Sequence, residues 1–367
     1  MKNILISLSL MLLCALPLRA QRVQVLDNDG LPVPFVAATT PDGKYIASTD
    51  ANGWFDDLSG NKTIHLSQVA YKPLTIDVAN IKGNKIVLDD ATYDLPEVVV
   101  KPKELLYCQT YFRTVYIDDD GPNYFRGGVV DNSYNIAKKK VDAKSRHLSK
   151  AQNTFERMFY SSTSGRYDRY TKLPEESYYN KLCKLQQQGT ITITDAGDGR
   201  QIIADSLSQL GYIYWDKKER TRTVSFDAST YINHRENKEK EEEAAKKGKT
   251  FVPDTVKQQR HKVTLYQVYR TDSIGNSTTD DFLMSQYTNI GRHRHSDTEY
   301  IIQVQAFATD YAYIDKKDYK QMRNDNKVEM NILELRQFEK NNKIPPLASN
   351  IQEQIDKLFE KELNQKP

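Results

Sequence analysis

The sequence predicts a mainly β protein with some α: an N-terminal seven-stranded β-sandwich, then a larger antiparallel-sheet α+β region ending in an amphipathic helix. Three observations carry this. Residues 21–92 are short alternating runs cut by Gly, Pro, Asn and Asp turns, with no helical stretch among them. Longer strictly alternating runs recur beyond residue 104, as in Lys262–Tyr269 and Glu299–Ala308. After Pro345-Pro346 the apolar residues Ile351, Ile355, Leu358, Phe359 and Leu363 fall at helical spacing.

Within the first region the predicted strands are Val23–Leu26, Phe35–Thr40, Tyr45–Thr49, Trp54-Phe55, Thr63–Ser67, Leu74–Val78 and Lys85–Leu88. The turns between them show their chemistry. In Pro41-Asp42-Gly43-Lys44 the proline fixes φ and the glycine supplies the positive φ, and Asp50-Ala51-Asn52-Gly53 repeats the device. Pro32 and Pro34 flank Val33, which suits an edge or crossing segment. Trp54, Phe55 and Tyr71 read as core, and Gly30 and Gly53 as turn positions.

The start of the chain reads as an address. A short basic opening at Lys2 precedes the apolar run Ile4–Leu18, and Leu18-Arg19-Ala20 stands before Gln21. This is the layout of a secretory signal peptide over residues 1–20, with an uncleaved anchor as the alternative. Cys14 follows Leu13, where a lipidation signal wants a small residue, so it reads as part of the leader. Cleavage leaves Cys108 and Cys183, and whether they pair is open at this level.

Composition narrows the class. The 367 residues hold 52 Lys+Arg and 49 Asp+Glu, a net +3, and so weak a field with both signs interspersed argues against a nucleic-acid partner. Hydrophobic residues make up 38% and the mean hydropathy is −0.69, which excludes a polytopic helical membrane protein. The 23 Tyr and 12 Phe still supply area to bury.

Four ordered motifs in the first region carry a resemblance. They are Asp29-Gly30-Leu31-Pro32-Val33-Pro34-Phe35-Val36, Thr49-Asp50-Ala51-Asn52-Gly53-Trp54-Phe55, His65-Leu66-Ser67-Gln68-Val69-Ala70-Tyr71-Lys72 and Ile86-Val87-Leu88, followed by Tyr93-Asp94-Leu95-Pro96-Glu97-Val98-Val99-Val100. Over residues 22–100 the chain resembles the carboxypeptidase-regulatory-like (transthyretin-like) domain of Gram-negative envelope proteins, as found at the front of TonB-dependent transporters. It departs from that pattern at Ala70, where the family has Gly, and at Pro96. The resemblance implies a β-sandwich and a periplasmic or outer-membrane location, with an outer-membrane protein or transporter as partner. It implies no peptidase. A zinc carboxypeptidase needs a His-x-x-Glu pair, and none of the six histidines has Glu three residues on.

Residues 93–103, between Pro96 and Pro102, read as a linker, and 104–367 as an uncharacterised β-rich α+β domain with a charged insertion near 235–250. Tyr111–Ile117 reads as a strand ending in the acidic turn Asp118-Asp119-Asp120-Gly121. As a calcium loop the turn fails, since Asn123 stands where Gly is needed and Val129 where Glu is needed. Lys138–Lys150 reads as the wet face of a helix. Thr190–Thr194, Tyr212–Trp215 and Thr221–Phe226 read as strands, and the polar positions of the long alternating strands as a solvated sheet face. His293 and His295, at strand spacing, could face a metal together with Asp297, opposed by Arg292 and Arg294. Ser349 and Gln352 suit a capping box for the last helix.

No catalytic, cofactor-binding or metal-binding residue follows from these patterns. Gly-x-Ser-x-Gly, phosphate-loop and Cys-x-x-Cys motifs are absent from the sequence. Two functions remain open. One is an exported, non-enzymatic docking or structural accessory module at the outer membrane, with peripheral membrane association and no spanning segment in the mature chain. The alternative is a secreted hydrolase of glycan or peptide with dispersed carboxylates in the second domain. A TonB-dependent transporter itself would need a far longer chain for its plugged barrel.

Overall fold

The computed structural model describes residues 22–58, 60–91, 104–145, 149–152, 167–252, 261–271, 282–292, 298–325 and 330–359. The leader, the linker, His293, His295 and Leu363 lie outside them. The described chain is mainly β with large antiparallel sheets and five α-helices.

The first seven strands are β1 (Val23–Leu26), β2 (Ala37–Thr39), β3 (Tyr45–Ser48), β4 (Trp54–Phe55), β5 (Thr63–Ser67), β6 (Leu74–Asp77) and β7 (Lys85–Val87). They divide into a three-stranded sheet, β4-β1-β7, and a four-stranded sheet, β3-β2-β5-β6. β1 and β7 run parallel, while the other pairs run antiparallel. Val23, Val25 and Ile86 from one sheet meet Ala38, Ile64 and Leu66 from the other in one core. Phe55 is fully buried there, whereas Trp54 is half-buried beneath the Arg22 guanidinium. Gly53 has φ +76°, and a Cβ on it would stand 2.7 Å from the Val25 carbonyl oxygen, so both backbone conformation and space require glycine.

The remaining strands are β8 (Leu105–Asp118), β9 (Gly121–Asn135), β10 (Lys140–Ser145), β11 (Ser149–Gln152), β12 (Thr192–Gly197), β13 (Arg200–Ala204), β14 (Gln209–Asp216), β15 (Thr221–Asp227), β16 (His261–Arg270), β17 (Phe282–Arg292) and β18 (Glu299–Ile314). All eleven form one antiparallel sheet in the order β10-β9-β8-β18-β17-β16-β15-β14-β13-β12, with β11 also on β9. It is a meander of hairpins except where β18 returns to lie beside β8. The helices are α1 (Tyr178–Gln187), α2 (Ser229–Lys246), α3 (Lys316–Asp325), α4 (Ile332–Asn341) and α5 (Ser349–Leu358). None is long and apolar enough to cross a membrane.

The two faces of the large sheet bury different partners. On β18, Ile301 and Phe307 join a core with Ala37 and Val69 of the first unit, Leu335 of α4, and Ile351, Ile355 and Phe359 of α5 and its end. The alternate residues Ile302 and Val304 face a second core, with Leu182 of α1 and Ile232 of α2. Period-two pleating thus places successive β18 residues in different interiors.

This arrangement corrects three expectations. The sheet face expected to be wet is buried: Gln303 and Gln305 keep only 7% and 6% of their surface, because the first unit and α4 and α5 cover them. The described residues of the stretch Lys138–Lys150 are not helical. Its residues 140–145 form β10, paired along β9, so the lysines sit on a sheet-edge hairpin. Ser349 does not cap α5, whose N-cap is Ala348 with no side-chain bond, and the capping box belongs instead to α4, between Asn331 and Glu334. The helix itself packs as its stripe requires, with the Phe359 ring edge-on to Phe125 of β9 at 5.8 Å. The charged stretch near 235–250 falls mostly within α2.

Candidate functional site

Several buried polar residues of the sheet lie in one row. Cross-strand register aligns Gly127 of β9, Arg113 of β8, Gln305 of β18, Gln286 of β17, Tyr266 of β16, Ser225 of β15 and Tyr212 of β14. Residues in register on neighbouring strands share a face, so the row runs beneath the first unit and the C-terminal helices.

Hydrogen bonds link much of it. Arg113 Nε donates to Gln305 Oε1 at 2.5 Å, and Gln305 Nε2 donates to Gln286 Oε1 at 2.7 Å. Gln286 Nε2 in turn donates to Thr288 Oγ1 at 3.1 Å. At the far end, Tyr212 donates its hydroxyl to Asn52 Oδ1 of the first unit at 2.8 Å. The Ser225 hydroxyl between them is buried with no hydrogen-bond partner.

At the near end the row continues upward into the helices. The Tyr111 hydroxyl donates to Glu339 Oε1 of α4. Arg336 grips Glu339 with Nη1 at 3.2 and 2.9 Å, and reaches Asp356 of α5 at 3.4 Å. Burial pulls the Arg113 guanidinium below its ordinary range, while Tyr111 and Glu339 work to keep it charged. Burial pushes the Tyr111 hydroxyl well up, and Glu339 adds to this, so it stays a donor. Burial also opposes the charge on Arg336, but Glu339, Tyr111 and Asp356 together outweigh it and hold that group above its usual value. A buried charge survives only when paired and hydrogen-bonded, and this relay supplies both.

The first unit is seated over the row. Asn350 Nδ2 of α5 donates to Thr39 Oγ1 at 3.0 Å and to the Thr40 carbonyl at 2.9 Å. Lys262 Nζ lies over the Phe35 ring, 5.4 Å from its centre. Between the unit, the sheet and the α4–α5 loop is a cavity of about 20 Å³, lined by Gln68, Tyr71, Arg113, Gln303, Gln305 and the prolines Pro345 and Pro346, among others. About 10–15 Å³ suffices for a water, so the space is enough for a water or a single small ion.

Other residues singled out from the sequence stand apart. Asp118, Asp119 and Asp120 bring carboxylate oxygens within 4.8 Å of one another, but Asp118 is occupied in the turn, accepting from Asp120 N at 2.9 Å and Asn123 Nδ2 at 2.7 Å. Cys108 and Cys183 are both free thiols. His65 Nδ1 lies 2.8 Å from Thr75 Oγ1, within the first unit. The pair His293 and His295 lies outside the described residues.

Sequence reasoning passed over Arg113, Gln286, Gln303, Gln305 and Glu339. A signal was present. Positions 301, 303, 305 and 307 read Ile-Gln-Gln-Phe, a face too apolar at its ends to be solvated. Amides set among such residues belong to a buried network.

No family model matches the chain, and no curated protein does. Among solved structures, it is similar to a protein of unknown function of the DUF3598 family from Nostoc punctiforme. The match has 8% identity and a TM-score of 0.16, and covers 75% of this chain and 94% of that one.

Proposed function

We propose that this is an exported accessory protein of the bacterial envelope, which works by holding a partner rather than by turning over a substrate. In this reading, strands β1–β7 form a carboxypeptidase-regulatory-like β-sandwich, residues 1–20 are a removed leader, and the partner is an outer-membrane protein or transporter. The ordered motifs from Asp29 to Leu88 support the family, and the apolar run before Ala20 supports export.

The observation that carries the docking reading is how the first unit is seated. It shares a core with the large sheet through Ala37 and Val69, and it is pinned by the Tyr212–Asn52 and Asn350–Thr39 bonds. A module seated this way presents one continuous surface with the sheet, which suits a scaffold better than a swinging tether. The space at the junction is small and is walled by Gln68, Arg113, Gln303 and Gln305.

In-cell crosslinking of the tagged protein, with membrane fractionation and mass spectrometry, tests this. A defined outer-membrane protein as the main adduct is expected. A free soluble pool without an adduct, together with turnover of a glycan or peptide by the purified mature chain, would replace this reading with the hydrolase.

A further inference from the structure

We infer that the cavity at the junction of the first unit, the sheet and the α4–α5 loop is a binding site for a single chloride-type anion, held by Arg113. The inference is independent of the envelope reading.

Four observations support it. First, the wall is rich in donors. Arg113, which is 3% exposed, lines the cavity together with Gln303 and Gln68, residues that carry a guanidinium and two amides. Gln68 uses its Oε1 to accept from Ala70 N at 2.6 Å, so its amide nitrogen is the end left to donate. Second, no carboxylate lines the cavity. A cation would meet a positive guanidinium with nothing to balance it, whereas an anion meets a complementary charge.

Third, the charge on Arg113 is only indirectly balanced. Its nearest acid, Glu339, reaches it through the Tyr111 hydroxyl and is already gripped by both oxygens from Arg336. Asp356, the remaining acid of the relay, lies on the far side of Arg336 with its side chain 48% exposed. The buried Arg113 and the half-buried Arg336 thus both draw on the half-buried Glu339, and an anion in the cavity adds a counter-charge beside Arg113. Fourth, the size fits. About 10–15 Å³ suffices for a water, so about 20 Å³ admits a monatomic anion.

Such an ion would touch all three parts of the junction at once: Gln68 from the first unit, Arg113 and Gln303 from the sheet, and the proline loop between α4 and α5. Occupancy would lock the first unit against the sheet, so the predicted readout is stability rather than turnover.

The test uses the full mature chain in thermal unfolding, with sodium chloride titrated against sodium gluconate at matched ionic strength. Chloride should raise Tm saturably, by about 2–4 °C at tenfold above its dissociation constant, beyond any gluconate effect. Gln303→Met keeps the side-chain volume, leaves the Arg113–Gln305–Gln286 bonds intact and should shrink the chloride-specific rise. Arg113→Lys, where it folds, should shrink it further. In crystals grown with bromide, anomalous density should lie beside Arg113. A rise equal in gluconate, a chloride-specific rise unchanged in Gln303→Met, or water alone beside Arg113 in bromide would each overturn the inference.

Discussion

Replacing Gly127 by alanine tests how α4 is held, and with it the buried relay. Gly127 sits beside Arg113 in the sheet register, directly beneath α4. A Cβ built there would stand 2.5 Å from Leu335 Cδ2 and 3.0 Å from the Phe125 ring. Apolar carbons prefer roughly 3.5–4.0 Å, so the leucine would have to retreat by about 1 Å or more. Leu335 is fully buried and the Phe125 ring crowds the same methyl, so the expected relief is for α4 to lift with its leucine. Overpacking of this kind costs about 1–3 kcal/mol. The lift also draws Glu339 away from Tyr111, because both Leu335 and Glu339 are carried by α4. Urea unfolding gives the global cost, and native-state hydrogen exchange should show α4 amides losing protection before those of β1–β7. The decisive control is the Leu335→Ala background. That change alone costs about 2–5 kcal/mol by leaving a cavity. The methyl at 127 then enters vacated space, and its cost should fall by about 1 kcal/mol or more. If Gly127→Ala costs the same in both backgrounds, within about 0.5 kcal/mol, the seat described for α4 is wrong.

Three further outcomes follow from the same structure. Tyr111→Phe removes the hydroxyl that joins Arg113 to Glu339, and should cost about 1.5–3 kcal/mol in urea unfolding, as loss of a bond to a charged partner does; a cost near zero would show that the relay carries no stability. Burial raises the Asp90 carboxyl above its ordinary range, reinforced by Asp29, Asp216 and Asp89, and so the native state holds this proton more tightly than the unfolded chain. Stability from this group therefore falls as pH rises through the carboxylate range and above, and Asp90→Asn should make Tm decline less than wild type between about pH 4 and 7; a parallel decline would refute the assignment. Cys108 is fully buried and burial pushes its thiol up, while Cys183 is half-buried, so a thiol reagent should label Cys183 alone in the native mature chain and both after denaturation.

The legible part of the fold was the part governed by local chemistry. The turns at Gly30 and Gly53 could be read because the left-handed backbone they adopt selects glycine whatever surrounds it. The strands β14, β15, β16 and β18 could be read because strict alternation has no helical counterpart. The hairpin at Lys140–Ser145 was misread because a run of charges reports only exposure, and a sheet edge exposes lysines as a helix face does. The capping box went to α4 because Asn331 at the N-cap and Glu334 three residues on meet the same rule that Ser349 and Gln352 satisfy on paper. What decided between them was where each helix begins, which packing sets.

The site was less legible for a deeper reason. Alternation distinguishes the two faces of a strand but says nothing of what covers them. Gln303 and Gln305 look solvent-facing when β18 is considered alone, and they are buried because the first unit, far upstream, and α5, which starts at Ser349, 35 residues after β18 ends at Ile314, close over them. Burying amides and a guanidinium is tolerable only if the same closure brings partners, and here Gln286, Tyr111 and Glu339 arrive from three different elements. The row therefore cannot be detected strand by strand. It also explains why the first unit has a fixed seat: without it the row would face water, and hydration would remove the reason for each of these bonds to form. The polar residues that looked like evidence of a wet surface are instead what makes the junction between the two parts of the chain specific.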